Sequence, residues 1–263
     1  MATIEKRQEI QETDAVTVEG ISMHYPGGVH ALDDINLSIP RGKMTAILGP
    51  SGCGKTTLLK IIAGLLQPTS GNIFVHGKKT TAPGPERAFV FQDFALLPWA
   101  SVLRNVAFGL ELRGCKKNER EEIARKFIAK IGLTGFEDHY PHQLSGGMRQ
   151  RAGLARALVI NADILMMDEP FSAVDEQMRR KLQEDLLSML AVDKKTVIFV
   201  THSIEEAVYL ADQIAILSPR PGRISKIVST DIHRDLTPDQ IRRDRRYLDM
   251  VDEIWAGLKQ YLV

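Results

Sequence analysis

The residues best suited to chemistry stand in a few short stretches, and the first of these handles phosphate. "GPSGCGKTT", made of Gly49, Pro50, Ser51, Gly52, Cys53, Gly54, Lys55, Thr56 and Thr57, satisfies the spacing G-x-x-x-x-G-K-[ST]. Glycines at this spacing let the backbone curl until several N–H groups face one anion, and a helix starting there adds positive potential. In such a loop Lys55 reaches the β- and γ-phosphates of a nucleoside triphosphate, Thr56 ligates Mg2+ and Thr57 bonds an α-phosphate oxygen. "ILMMDEP" puts Asp168 at the end of an apolar run, where a carboxylate can hold a water on Mg2+. Glu169 beside it is the group to polarise an attacking water. His202, after the apolar run "TVIFV", is read as a γ-phosphate contact. Gln92 directly follows "AFVF" and can touch Mg2+ or the attacking water, or merely satisfy its own loop. "HQLSGGMRQRAGLARAL" raises a second possibility for anion binding. Ser145 can cap a helix there, and Gly146 and Gly147 let backbone N–H groups approach an oxyanion. A helix start without its own lysine, in a chain whose one Lys-containing loop already takes a triphosphate, can complete a site on another molecule.

These residues need elements to hold them. "MTAIL", "AFVF", "ADILMMD", "TVIFV" and "QIAIL" are short apolar runs of the kind buried on both faces of a sheet. Helical stretches separate most of them, which argues a largely parallel sheet. "TLLKIIAGLL" is too uniformly apolar for a surface helix and is expected to be buried behind the phosphate loop. Alternation at Val16, Val18, Ile35, Leu37 and Ile39, with "GNIFVHGK", predicts a separate antiparallel layer. Asn118 with Glu121 predicts a capping box, followed by an apolar face at Ile123, Phe127 and Ile131. Ser203 with Glu206 predicts another, so that a helix begins just after His202. Leu248, Val251, Trp255, Leu258 and Leu262 have helical spacing and predict a last helix packed back on the domain.

Composition narrows the classes. At 263 residues, 44% apolar and 25% charged, the chain is an ordinary globular one, either a single large domain or a domain with an inserted lobe. A net charge of +1 offers no bulk attraction for nucleic acid or anionic membrane, and the basic cluster "IRRDRR" is interrupted by aspartate, as on a solvated face. Cys53 and Cys115 form no disulfide framework, so a reducing compartment is expected. Residues 1–14 are polar, lack an apolar signal core and read as a loose tail. No apolar run approaches the roughly 18 residues of a spanning helix. Cys53, lying inside the phosphate loop, predicts sensitivity to thiol reagents by steric blockage.

Taken in order, "GPSGCGKTT", Gln92, "LSGGMRQR", "ILMMDEP", "SAVD" and His202 resemble the ATPase subunit of ABC transporters over nearly all of Val16 to Ser218. The resemblance implies an α/β fold: a P-loop NTPase (RecA-like) core with a mainly parallel sheet, an N-terminal antiparallel β layer and an inserted helical lobe at about 94–160. The ATPase domain would span 15–218, and 219–263 would form a C-terminal extension. It implies ATP and Mg2+ as cofactors, and a head-to-tail pair, identical or not, in which each "LSGG" stretch meets the γ-phosphate held by its partner. Asp175 then matches a loop communicating between the sites, and Tyr25 the aromatic that stacks on adenine. Met148 replaces the commonest glutamine of the signature, and Val174 the usual leucine. "LSGGMRQR", "LLPW" at Leu96–Trp99 and "PGR" at Pro221–Arg223 together resemble importers of the nitrate/sulfonate/taurine type. That branch implies integral-membrane permease subunits, indirectly a periplasmic or extracellular solute-binding protein, and a place on the cytoplasmic face of the inner membrane. "DFALLPWASV", Asp93 to Val102, then either receives the permease or packs within the helical lobe. An importer ATPase for another solute and a soluble, non-transport ABC ATPase stay open. A DNA-repair type would need a long coiled-coil insertion, and a translation type two tandem cassettes; neither pattern is seen.

Overall fold

The computed structural model describes residues 14–172, 174–191, 195–230, 232, 236–259 and 261. The expected tail, apart from Asp14, lies outside them, as do Ala173 of "SAVD" and Leu262 of the last apolar stripe. The chain divides into two compact units, Met1–Gly84 with Lys194–Val263, and Pro85–Asp193. The strands are β1 (Asp14–Tyr25), β2 (Val29–Pro40), β3 (Met44–Leu48), β4 (Ser70–Val75), β5 (Lys78–Thr80), β6 (Arg87–Val90), β7 (Ile164–Asp168), β8 (Thr196–Thr201), β9 (Gln213–Leu217) and β10 (Ile224–Ser229). The helices are α1 (Lys55–Ile62), α2 (Val102–Leu112), α3 (Lys117–Lys130), α4 (Gly146–Leu158), α5 (Glu176–Ala191), α6 (Ile204–Leu210), α7 (Pro238–Arg243) and α8 (Arg245–Lys259).

In the first unit β2, β1, β4 and β5 pair in that order, all antiparallel. Their sequences alternate because one face is buried: Val16, Val18, Ile21 and Met23 of β1 lie inside, with Ile35, Leu37 and Ile39 of β2. The register skips between Val18 and Ile21, where Gly20 donates its N–H to Asn36 Oδ1 at 2.9 Å. The second sheet of this unit runs β10, β9, β3, β8; β3 is parallel to both neighbours and β10 antiparallel to β9. Every residue of β3 and β8 is buried, which explains why "MTAIL" and "TVIFVT" show no alternation. Helix α8 lies against α6, with Tyr247 Oη donating to the Glu205 carbonyl at 3.3 Å.

In the second unit β6 and β7 run parallel, and α2, α3 and α4 close a core of Val102, Val106, Ala124, Ile128, Leu133, Ala152 and Ala155. The buried seam of α3 is Ala124 and Ile128, flanked by half-buried Ile123 and Phe127.

Two expectations need correction. Asn118 does not cap α3: the helix begins at Lys117 after an extended Lys116, without a side-chain cap. Gly114, left-handed at φ 78°, ends the preceding helix so abruptly that the chain re-enters helix before Asn118 is reached. The stripe read in the last helix is also not its buried face. Tyr247 and Ile254 are buried, whereas Leu248 and Trp255 are 49% and 52% exposed. The apolar arc of α8 is wider than one contact can cover, and α6 takes the edge marked by Tyr247.

Candidate active site

The phosphate loop leaves β3 at Leu48, which pairs with Thr201 of parallel β8. The two strands therefore end level, so that Gly49 and His202 leave the same carboxyl edge as neighbours, the edge where open α/β sheets bind ligands. Gly52 and Gly54 take left-handed φ values of 75° and 103°. At Gly54 a Cβ would also fall 2.6 Å from Leu32 Cδ2, so the residue that starts α1 has both a conformational and a packing reason to be glycine. Lys55 is almost wholly buried, and its ammonium donates to the Gly49 and Pro50 carbonyls at 2.8 and 3.0 Å, which draws the charge back over the loop. Ser51 and Gly52 are exposed at the crest of the loop; Thr56 and Thr57 are half-buried. Tyr25, the last residue of β1, brings its hydroxyl to 3.1 Å from Thr57 Oγ1. The fold thus gathers Tyr25, the whole phosphate loop and His202 within the first unit.

His202 is exposed, and the turn beneath it is tied. Ser203 Oγ accepts the Glu206 N–H at 3.2 Å, the cap read in the sequence. Glu206 does not complete a box: its carboxylate is buried and accepts the Thr201 hydroxyl at 2.6 Å, while Thr201 Oγ1 accepts the Ser203 N–H at 3.0 Å. A carboxylate this deep does better with a buried hydroxyl than at a helix rim.

Cys53 requires a further correction. Its side chain is fully buried and burial pushes its thiol up, so the protected, protonated sulfur is a poor target for thiol reagents.

In the second unit Val90 of β6 pairs with Met167 of β7, so Gln92 and Asp168 follow from adjacent strand ends. Gln92 is exposed, Asp168 buried. Glu169 holds a left-handed φ of 46°, a conformation that costs a residue with a side chain roughly 1 kcal/mol or more. The carbonyl of Glu169 is pinned by Ser172, whose hydroxyl donates to it at 3.0 Å. Ser145 caps α4, its Oγ accepting the Met148 N–H at 3.3 Å, and Gly146 and Gly147 form the first turn. Asp175 Oδ1 accepts the Met178 N–H at 3.0 Å, which caps α5.

Comparison with known proteins gives this constellation a family. The ABC transporter family matches residues 32–172. An uncharacterized ABC transporter ATP-binding protein of Methanocaldococcus jannaschii is 49% identical, covering 97% of this chain and 100% of its own. The taurine import ATP-binding protein TauB of Pseudomonas syringae pv. tomato is 46% identical, covering 92% and 94%. Among solved structures, the ATP-binding cassette MJ0796 as a post-hydrolysis dimer bound to ADP and Pi superposes with a TM-score of 0.74 at 32% identity, covering 82% and 98%. The chain belongs to the ABC transporter family. It is an ATPase of that family.

Within this ABC ATPase several supporting residues escaped the reading of motifs. Gln150, buried in α4, donates to the Pro170 carbonyl and so ties that helix to the turn bearing Glu169. Arg156, farther along α4, donates to the Phe94 and Ala95 carbonyls at 2.6 and 2.7 Å. It braces two successive left-handed residues, Phe94 and Ala95 at φ 60° and 43°, which follow Gln92 and Asp93. Burial works against its charge, and Asp93 supports it. Asn105, wholly buried, accepts the Leu97 N–H at 2.8 Å and donates to the Leu97, Ala100 and Ser101 carbonyls, shaping the loop that displays Trp99 at 72% exposure. The available signal was polar or charged residues inside otherwise apolar helical spacing. Such a residue, once buried, has to be hydrogen-bonded to something.

Proposed function

We propose that this ATPase powers an importer of an oxyanion solute of the nitrate/sulfonate/taurine type, working as a head-to-tail pair beneath separate permease subunits. The observation that carries the reading is the level ending of β3 and β8, which sets the phosphate loop and His202 side by side. The taurine import relatives support the branch, as does the resemblance that "LSGGMRQR", "LLPW" and "PGR" give this chain to importers of that type.

Phosphoryl transfer to water depends on positioning and charge stabilisation far more than on covalent chemistry. Lys55 and the loop N–H groups bind the phosphates, with Thr57 on the α-phosphate and Tyr25 stacked on adenine. His202 holds the γ-phosphate on the same edge. Glu169 polarises the attacking water, Gln92 helps place it, and Ser145, Gly146 and Gly147 of a second copy bind the γ-phosphate from the other side. The donor set fits Mg2+: the Thr56 hydroxyl, Asp168 carboxylate and Gln92 carbonyl are all hard oxygens, and too few to displace the ion's waters. Bound there, Mg2+ would neutralise charge on the phosphates. Asp175 communicates between the paired sites. Among the described residues no helix is long and apolar enough to cross a membrane. In the proposed cycle the ATPase acts on transport through permeases at the cytoplasmic face, indirectly serving a solute-binding protein. Exposed Trp99 and its Asn105-held loop are the surface that receives the permease. No nucleic acid takes part.

The test is uptake of labelled nitrate, taurine and an alkanesulfonate by cells whose only copy carries Glu169→Gln. Loss of uptake of one of these anions is expected and names the cargo. Normal uptake of all three refutes the oxyanion assignment.

A further inference from the structure

The "PGR" segment marks the importer branch in sequence, yet the hydrolytic chemistry above leaves it without a task. In the structure it belongs to a turn, Ser218–Arg223, that joins β9 to β10 and lies on the phosphate loop. The turn is closed by the Ser218 N–H on the Arg223 carbonyl at 2.9 Å and by the Arg223 N–H on Ser218 Oγ at 3.1 Å. Gly222 fastens it to β2: its N–H donates to Ala31 O at 2.9 Å, and its carbonyl accepts the Asp33 N–H at 3.0 Å. A Cβ on Gly222 would sit 2.2 Å from the Cys53 carbonyl, so the turn presses on the loop backbone as closely as glycine permits. Arg223 adds an ion pair with Asp33.

From this anchored turn Arg220 reaches the loop. Its Nε and Nη2 both donate to the Gly52 carbonyl, at 3.2 and 3.0 Å. Gly52 is the exposed, left-handed residue at the crest. The Gly52–Cys53 peptide is planar, so a carbonyl held toward Arg220 turns the following N–H the opposite way. That N–H lies 3.4 Å from the Pro50 carbonyl across the loop, a long bond that an oxyanion can readily displace. An unbraced glycine crest can rotate this peptide and lose the donor; a charged two-pronged hydrogen bond to its carbonyl opposes that rotation.

We propose that Arg220 is a positioning residue for nucleotide binding: through the Gly52 carbonyl it presets the Cys53 N–H toward phosphate without itself touching the nucleotide. The proposal rests on the reading that this loop binds ATP. It is tested by titrating a fluorescent ATP analogue, and measuring steady-state hydrolysis, with the full chain carrying Arg220→Ala, Arg220→Lys or, as a check on the loop itself, Lys55→Ala. Arg220→Ala is expected to raise Kd and KM about tenfold, the equivalent of one hydrogen bond to a charged group, and to leave kcat within about twofold. Arg220→Lys keeps the charge but loses the two-pronged contact, and should fall between wild type and alanine. Wild-type Kd in Arg220→Ala, or full rescue by lysine, overturns the proposal and leaves the ATP site standing. A fall in kcat and thermal stability at constant KM also overturns it, since that marks a merely structural brace. Failure of the wild-type chain to bind the analogue, or binding untouched by Lys55→Ala, overturns both readings.

Discussion

At the scale of single residues, this protein places polar groups where their partners are backbone atoms of the loops that carry the proposed site. Lys55, Arg156, Asn105 and Arg220 each donate to main-chain carbonyls beside the phosphate loop, Gln92 or Trp99. Carbonyls are present whatever the neighbouring side chain, so such braces survive substitution around them. The two thiols show the opposite effect of environment. Burial pushes Cys53 up; Cys115 is raised too, by desolvation and by a hydrogen bond with Glu119, but it is only half-buried. Because the thiolate is the nucleophile, a raised pKa means alkylation that stays slow at neutral pH and accelerates as pH climbs past the ordinary thiol range. Native protein treated at neutral pH should therefore be modified slowly and at Cys115 first, with Cys53 reached only after urea unfolding, as peptide mass spectrometry would read. Early modification of Cys53 would mean that the loop opens in solution.

At the scale of elements, α8 shows how an amphipathic pattern can be right about the helix and wrong about its face. Apolar residues at 247, 248, 251, 254, 255 and 258 cover a broad arc. Only the part that meets α6, with the Tyr247 hydroxyl on Glu205, is buried. Ile254→Ala should cost about 2–5 kcal/mol of stability by creating a cavity. Leu248→Ala, on the exposed side, should change stability by less than about 0.5 kcal/mol. Urea titrations of both variants check the assignment, and equal losses would reverse it. The same reasoning applies to β3 and β8. Their apolar runs announced strands, whereas the pairing of Leu48 with Thr201, which levels their ends, is a matter of register between distant segments.

At the scale of the whole molecule, the proposed cycle makes a claim about mass. If a second copy's Ser145, Gly146 and Gly147 complete the site, ATP that cannot be hydrolysed should hold two chains together. Glu169→Gln keeps the shape of the side chain and removes the charge proposed to polarise water. Its turnover is expected to fall about 100-fold or more, within the range for a lost general base, while ATP still binds. Light scattering of Glu169→Gln should then show the mass doubling on ATP addition and returning when ATP is removed. A mass that stays at one chain in saturating ATP would refute the head-to-tail pair.

What the sequence determined by itself was local. Gly49 to Thr57 form a tight glycine loop leading into α1 because the spacing of glycine, lysine and threonine is a property of contiguous backbone. Asp168, Glu169 and His202 sit at strand ends because the apolar runs before them are contiguous as well. Ser145 and Ser203 cap helices because a cap acts over three residues. Tertiary structure alone decided the rest: the level register of β3 with β8, the edge of α8 that meets α6, the depth of Cys53, and the reach of Arg220 to a carbonyl 168 residues away. Such contacts are set by which chain segments share a core and how far each is shifted along its neighbour. No periodicity in the sequence records that shift, because each segment would show the same pattern of apolar and polar residues whichever partner it met.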